Sequence, residues 1–315
     1  MAFVSLLQSA IRFSAVFLFG STGETISQKS GHLNLGTPGV MCLGALGGAI
    51  GVSIAVNAFG SNGVGFLYVL FGILFALLFG GIAGALFSFF TINLKCNQNV
   101  TGLTLTTLGS GIFSYGFKNL VSTSIPSVSK HFRDLFHAGN DGFSQIFLSH
   151  GILVYLAIIL AIAVTFFFSR TKIGLRLRTV GESPSTADAS GINVTKYRYI
   201  ATIVGCAVSA LGGLFMIMDY NNGSVEYNVA EYGWLAVAIV IFSMWKPSIA
   251  IGGSFLFGFL YILPYKIGLS FSDTYLIKLL PYFITIIILI ITSMLRIKSA
   301  QPPSALGLTY DREER

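Results

Sequence analysis

An all-α bundle that crosses a membrane many times is the fold class that this 315-residue sequence predicts. Charged residues make up only 10% of the chain, against about 25% in soluble proteins, and hydrophobic residues make up 54%. Residues 30–94 contain no Asp, Glu, Lys or Arg, although about 20 apolar residues are enough to cross a bilayer. A water-facing surface cannot be built from this composition, so we expect a polytopic membrane protein embedded in the lipid bilayer.

Charge-poor runs define the candidate spans, and we expect about 8–10 transmembrane helices. The runs lie near residues 5–20, 37–58, 64–90, 100–119, 150–168, 199–219, 231–245, 248–266 and 276–295. The first run carries Gln8 and Arg12, so lying in the membrane interface is an alternative for it. The third contains Gly80 and Gly81, where a helix could break. We interpret residues 1–315 as a single transmembrane domain.

The basic residues predict which loops face the cytoplasm. Residues 169–198 contain six bases and two acids, so this loop is expected inside the cell. Alternation of the spans then places further basic positions on the same side: Lys29, Lys95, Lys246, Arg296, and Lys298, Arg312 and Arg315 in a C-terminal tail over 297–315. Because the bases lie in loops between apolar runs, the net charge of +7 implies no nucleic-acid partner. The N-terminus lacks the features of a removable signal peptide.

Small residues recur at a spacing of four along the predicted spans. The pairs and triplets are Gly44 with Gly48, Gly47 with Gly51, Gly80 with Gly84, and Gly205 with Ser209 and Gly213. Small residues on one face let helices approach closely where lipid supplies no hydrophobic drive. We therefore predict tight helix packing, with glycine hinges for gating as the alternative.

A short helix is predicted inside the basic loop 169–198. Ser183 is a suitable N-cap, Pro184 suits the first turn, and Gly191 suits the C-terminal stop. The alternative is an irregular solvated loop. A capped helix flanked by bases would form a shaped surface suited to docking on another protein.

Amides and a hydroxyl at the entries to two spans are candidates for a solute path. Asn34 lies just before the second span, while Asn97, Gln98 and Thr101 lie at the head of the fourth. Amides can donate and accept hydrogen bonds without the desolvation cost of a charge. The alternative is that these side chains simply cap the helices that follow.

Catalytic and metal-binding patterns are not recognisable in the sequence. The four histidines form no HExxH motif, no GxSxG elbow occurs, and a P-loop is missing, so any ATP and Mg would be bound by a partner. Cys42, Cys96 and Cys206 are isolated, which supports neither a disulfide framework nor a metal site. We therefore assign no catalytic residue, no metal ligand and no cofactor to this chain.

Several ordered segments resemble a known family over nearly the whole chain. The segments are GETISQKSGHLNLGTPGVM, NQNVTG, GLRLRTVGESPSTADASGIN, GWLAVAIVIFSMWKPSIAIGGSFLFGF and QPPSALGLTYDREER. They resemble the permease subunits of bacterial ABC importers for nucleosides and simple sugars, which are related to branched-chain amino acid permeases. The first and last segments look most similar to the nucleoside branch. Pro38 departs from the family, which typically has an acidic residue at that position.

The resemblance implies a role for the short helix as the coupling element that sits in a groove of the ATPase. The positions that match are Arg178, Gly181, Glu182, Pro184, Ala187, Asp188 and Gly191. The resemblance also implies four kinds of partner or setting: a second homologous permease subunit, a tandem cytoplasmic ABC ATPase, an extracytoplasmic substrate-binding lipoprotein, and the bacterial cytoplasmic membrane.

The predicted function is a non-enzymatic transport subunit that forms part of a path for nucleosides, with purine nucleosides favoured. The alternative in the same superfamily is a permease for simple sugars or other small solutes. An intramembrane enzyme would need a paired acid and base at one depth, which we do not find. An ion-coupled secondary transporter would need carboxylates inside spans, whereas Glu24, Asp219 and Glu231 are predicted at span ends.

Overall fold

The computed structural model describes residues 2–60, 65–120, 146, 149–224, 229–267, 271–294 and 301–311. Within these segments the secondary structure is helical and contains no strand. The helices are, in order, α1 Ala2–Lys29, α2 Thr37–Phe59, α3 Gly65–Ser88, α4 Gln98–Leu120, α5 Ile152–Arg170, α6 Lys172–Glu182, α7 Pro184–Ala189, α8 Val194–Phe215, α9 Val229–Phe242, α10 Pro247–Ile267 and α11 Phe271–Met294. One π-helical turn extends α3 over Phe89–Asn93, and another extends α8 over Met216–Tyr220.

The nine longer helices of the described segments correspond to the nine predicted spans, while α6 and α7 lie between α5 and α8. Six of them are long and apolar enough to cross a membrane, and α9 is apolar but shorter. The prediction of an all-α, polytopic membrane bundle is therefore confirmed.

Helix α1 crosses the bundle, so the interfacial alternative for the first span is wrong. It continues to Lys29, nine residues beyond the predicted end, and Phe13, Phe17 and Phe19 on it are at most 1% exposed. Arg12 on this helix is half-buried, and its Nε lies 3.2 Å from Oδ1 of buried Asp219. A base with a carboxylate partner is tolerated in a membrane bundle.

Helix α3 passes through Gly80 and Gly81 without a break. Gly80 lies against the backbone of α8, where an added Cβ would collide with the carbonyl of Cys206. The helix becomes irregular only later, in the π-helical turn. There the backbone nitrogens of Leu94 and Cys96 donate hydrogen bonds to the carbonyls of Phe89 and Phe90, respectively. Gly80 therefore provides close packing and not a hinge.

Close helix contacts at small residues confirm the packing interpretation. An added Cβ at Gly44 would overlap the backbone of Ala210, and one at Gly213 would overlap the carbonyl of Met41. Gly23 of α1 and Gly205 of α8 face each other in the same way. These contacts place α1, α2 and α8 at the centre of the core, as expected where small residues drive helix association in lipid.

One end of the bundle, which we call the loop face, is formed by residues 30–36, 94–97, 171–193, 243–246 and 301–311. The charges of Arg178 and Lys246 both act on Lys29 at the end of α1, and Lys95 pairs with Asp311. The basic segments predicted to share one side of the membrane therefore meet at one end of the molecule. That this side is the cytoplasm stays a prediction.

Candidate coupling surface and translocation face

The short helix predicted in the basic loop is present as α7. The Ser183 hydroxyl accepts a hydrogen bond from the backbone nitrogen of Thr186, and Pro184 occupies the first turn. Gly191 has a φ of +78°, a left-handed conformation that favours glycine and ends the helix. Asn193 then caps α8 by accepting a 2.9 Å hydrogen bond from the nitrogen of Lys196. Local caps thus produce a compact helix with fixed ends.

The seven predicted coupling residues divide into an outer and an inner set. The outer set consists of exposed Arg178, Glu182 and Gly191 together with half-buried Pro184 and Asp188. Gly181 and Ala187 are buried, and a Cβ at Gly181 would collide with the carbonyl of Lys29. The inner residues therefore seat α6 and α7 on the bundle, while the outer ones remain accessible.

Residues 301–311 form a strap across α6 and α7, the candidate coupling surface. The sequence analysis predicted no such contact for this segment. The backbone nitrogen of Ala305 donates to the carbonyl of Gly181 at 3.0 Å, and that of Gly307 donates to the carbonyl of Gly31 at 3.0 Å. Glu182 Oε2 accepts from the backbone nitrogen and the hydroxyl of Ser304, at 3.2 and 2.9 Å. The strap therefore bridges the ends of α1 and α6.

Two polar residues beneath the strap are almost completely buried. Arg198 is 3% exposed, and its Nη1 donates to the carbonyl of Leu308 at 3.1 Å. His32 Nδ1 lies 2.9 Å from the hydroxyl of Thr202. Burial, followed by the nearby charge of Arg198, lowers the pKa of His32 to about 3. His32 is therefore neutral at physiological pH, which avoids two adjacent buried cations.

Glu24 is the centre of a buried hydrogen-bond network, which corrects its predicted position at a span end. It lies inside α1 and is 1% exposed, because α1 continues to Lys29. Its Oε2 accepts from the Thr37 hydroxyl at 2.5 Å, and its Oε1 accepts from Gln28 Nε2 at 2.7 Å. Gln28 Oε1 in turn accepts from the indole nitrogen of Trp245 at 2.5 Å. The network joins α1, α2 and the turn between α9 and α10.

Two of the four candidate path residues lie inside the protein. Asn34 is 1% exposed. Its Oδ1 accepts a hydrogen bond from the backbone nitrogen of Gly36 at 2.9 Å, and its Nδ2 contacts Cys206 Sγ at 3.3 Å. Gln98 is 3% exposed, and its Oε1 accepts from the nitrogen of Leu33 at 2.8 Å. Both side chains therefore hold the loop between α1 and α2.

The other two candidates lie together on the outer side of α4. Exposed Asn97 caps the helix by accepting from the nitrogens of Asn99 and Val100 at 3.0 and 3.2 Å. Half-buried Thr101 donates to the Asn97 carbonyl at 2.9 Å. Both line a cleft of about 340 Å³ between α3 and α4. The structure thus brings Asn97 and Thr101 together and separates them from Asn34.

Helix α4 carries further hydroxyls along its exposed side. Thr104, Thr107 and Ser114 are exposed and Ser110 is half-buried, and each donates to a carbonyl three or four residues earlier in the helix. Such bonds satisfy the hydroxyl hydrogens, while the oxygens keep acceptor capacity on the outer surface. We call this surface, with Asn97 and Thr101 at its start, the hydroxyl face.

Residues 6–291 match the family described as "Branched-chain amino acid transport system / permease component". This match covers most of the chain. The chain belongs to this permease family. It is accordingly a multi-pass membrane protein of a family of transport components.

Known permeases align with this permease over most of its length. "Putative glucose ABC transporter permease protein TsgC13" of Haloferax volcanii is 33% identical and covers 81% of this chain and 75% of its own. Nucleoside ABC transporter permease protein NupC of Lactococcus lactis subsp. cremoris is 28% identical and covers 97% of this chain and 96% of its own. Guanosine ABC transporter permease protein NupQ of Bacillus subtilis is 27% identical, with 98% and 97% covered.

A solved structure supports the fold of this permease. "An inward-facing conformation of a putative metal-chelate type ABC transporter" superposes with a TM-score of 0.51 at 15% identity, covering 90% of this chain and 84% of that one. At this identity the likeness concerns the fold alone. The permease therefore has the membrane fold of an ABC transporter.

The strap and the Glu24 network are the features of this permease that sequence reasoning missed. Pro302 and Pro303, followed by Gly307, signal a segment of defined turns, but they do not reveal which helices it contacts. Likewise, Thr37 and Gln28 are ordinary polar residues in the sequence until α1 and α2 bring them onto Glu24.

Proposed function

We propose that this permease forms part of the translocation path of an ATP-driven importer for nucleosides, with purine nucleosides as the favoured solutes. The observation that carries the solute class is the alignment of two nucleoside permeases over 97% and 98% of the chain, since both extend over almost all of it. NupQ is named for guanosine, which favours a purine nucleoside.

The hydroxyl face of α4 supports a path at the surface of this subunit. Thr104, Thr107 and Ser114 are exposed on a helix long enough to cross most of a bilayer. Ribose hydroxyls and base edges would need such weak hydrogen-bond partners as water is removed. A second, homologous permease subunit facing α4 would enclose the path, so that each subunit supplies one wall.

The capped helix α7 supports coupling to an ATPase. Exposed Arg178 and Glu182, with half-buried Asp188, present charges around a rigid helix, as a docking element requires. We propose that a tandem cytoplasmic ABC ATPase binds this surface and supplies ATP and Mg, and that an extracytoplasmic lipoprotein delivers the solute. In this arrangement the loop face is cytoplasmic and the permease itself performs no covalent chemistry.

A sugar importer is the second candidate, because TsgC13 has the higher identity of 33%. The test is uptake of labelled guanosine by the complete complex in proteoliposomes, with unlabelled adenosine, uridine, ribose or glucose as competitors. We expect the nucleosides to compete and the sugars not to. Absence of guanosine uptake, together with uptake of labelled glucose that unlabelled nucleosides do not reduce, would replace the nucleoside proposal with the sugar one.

Reporter fusions test the proposed orientation separately. A reporter that is active only in the cytoplasm should be active when it is fused at exposed Ser185 or after Arg315. An inactive reporter at Ser185 would invert the topology, whichever solute is carried.

A further inference from the structure

A cleft of about 780 Å³ opens between α5, α6 and α8 on the outer surface of the bundle. Ile26 of α1 forms the floor of the cleft, and its walls include Phe167 of α5 and Ile200 of α8. The basic residues Arg176 and Lys196 lie at one end. We propose that this cleft is a binding site for one anionic phospholipid, with an acyl chain between α5 and α8 and the headgroup phosphate at the two bases.

The cleft has the length and surface of an acyl-chain site. It extends along α8 from Asn193 to Val204, and the eleven steps between these residues, at a rise of 1.5 Å each, give about 16 Å. This equals about half of the 30 Å hydrocarbon thickness of a bilayer. Val204 and Ile200 are 45% and 52% exposed, so apolar surface is available along this length. The length of the cleft therefore matches an acyl chain that spans one leaflet of the bilayer.

The polar groups are confined to the end where a headgroup would lie. Arg176 and Lys196 are exposed, and no Asp or Glu among the residues that the structure describes lines the cleft. Lys172 is exposed four residues before Arg176 on α6, so both bases share one side of that helix. Within the described segments neither Arg176 nor Lys196 forms an ion pair. Basic clefts between membrane helices are suited to anionic headgroups.

Helix α6 places this end of the cleft at the membrane surface. Ile173 and Leu175 are 58% and 62% exposed on the same short helix that carries the bases. Apolar and basic residues mixed in this way are typical of a helix that lies in the headgroup region. Charge and depth together therefore favour an anionic phospholipid over a helix from a partner subunit, which would need acidic residues at the same level.

Native mass spectrometry of the assembled complex tests the site, with phosphatidylglycerol and phosphatidylcholine of identical acyl chains as probes. We expect phosphatidylglycerol to bind more tightly than phosphatidylcholine. The double variant Arg176→Gln/Lys196→Gln should weaken phosphatidylglycerol about 25-fold, since each base near a membrane surface contributes about fivefold. The control is Lys118→Gln/Lys266→Gln, which removes two exposed charges remote from the cleft and should leave binding unchanged.

A second pair of variants tests the apolar part without changing charge. Val204→Trp fills the cleft and should reduce phosphatidylglycerol binding at least tenfold, whereas Ile82→Trp on the exposed side of α3 should not. Equal binding of the two lipids, or binding unaffected by both the charge and the cleft variants, would overturn the proposal. So would binding to the isolated subunit that disappears in the assembled complex, because a partner helix would then occupy the cleft.

Discussion

The phenol of Tyr310 donates a 3.0 Å hydrogen bond to Asp188 Oδ2, joining residues 122 positions apart. Asp188 belongs to α7, and Tyr310 belongs to the strap that is bonded to Gly181 and Gly31. The contact therefore links the proposed docking helix to the ends of α1 and α6. Force applied to α7 by a partner would pass through backbone hydrogen bonds into the first helix of the bundle.

Removing this phenol should loosen the strap without disturbing the core. In Tyr310→Phe we expect a protease to release a C-terminal epitope tag about fivefold faster, because one hydrogen bond contributes about 1 kcal/mol. Solute-stimulated ATP hydrolysis of the complex should fall in parallel. The control for the release rate is Tyr115→Phe, which removes the hydroxyl of a 70% exposed tyrosine outside the strap. Identical release rates for Tyr310→Phe and wild type would show that Tyr310 does not hold the strap.

Gly181 should tolerate no side chain, because it is seated against the end of α1. In Gly181→Ala the added Cβ meets the carbonyl of Lys29, and overpacking of this kind costs about 1–3 kcal/mol. Gly252→Ala is the matched control, since a Cβ there meets nothing within 4 Å and alanine is the better helix former. We expect a lower unfolding temperature in detergent only for Gly181→Ala. A drop of equal size in both variants would remove the packing argument.

The caps and spans could be predicted from the sequence because they depend on neighbouring residues. Ser183, Pro184 and Gly191 determine α7 through bonds and dihedral angles within nine residues. The end of α1 could not be predicted in this way. Glu24 and Gln28 resemble a polar loop, but hydrogen bonds to Thr37 and Trp245 satisfy them inside the bundle. Those partners become neighbours only when α2 and α9 pack.

The Glu24 network gives a graded prediction for stability. Glu24→Ala leaves the amide of Gln28 without its acceptor, and the Thr37 hydroxyl keeps only its longer 3.3 Å contact with the carbonyl of Asn34. An unsatisfied buried group costs about 1–3 kcal/mol. Glu24→Gln keeps the volume and one acceptor, and the Thr37 hydroxyl can rotate to accept from the new amide. We therefore expect thermal stability to fall in the order wild type, Glu24→Gln, Glu24→Ala. A Glu24→Ala variant as stable as Glu24→Gln would show that the network contributes little.

The candidate path residues illustrate a different limit of sequence reasoning. Asn34 and Asn97 both precede a helix and both accept backbone hydrogen bonds, so their local sequence signals are alike. Burial distinguishes them, because Asn34 contacts Cys206 of α8 whereas Asn97 lies on the outer side of α4. Long-range packing determines which side of a helix is covered by other helices. The residues next to Asn34 and Asn97 in the sequence therefore do not reveal it.

This difference leads to opposite outcomes for two similar substitutions. Asn34→Ala removes the acceptor for Gly36 and the contact with Cys206, so we expect less assembled complex but normal uptake per complex. The loss of a buried hydrogen bond costs about 0.5–1.5 kcal/mol, enough to lower the yield of a marginally stable membrane protein. Asn97→Ala loses a helix cap, but it also removes an exposed amide beside Thr101 from the proposed path.

Uptake of labelled guanosine, divided by the amount of assembled complex, separates the two roles. We expect this ratio to fall severalfold for Asn97→Ala and to stay at the wild-type value for Asn34→Ala. Asn97→Asp is the informative companion, because a carboxylate still caps the helix but cannot donate a hydrogen bond to a solute. If Asn97→Asp restores the yield of complex and not the uptake ratio, the amide acts in transport. If both Asn97 variants keep the wild-type ratio, Asn97 is only a helix cap and the path lies elsewhere on the hydroxyl face.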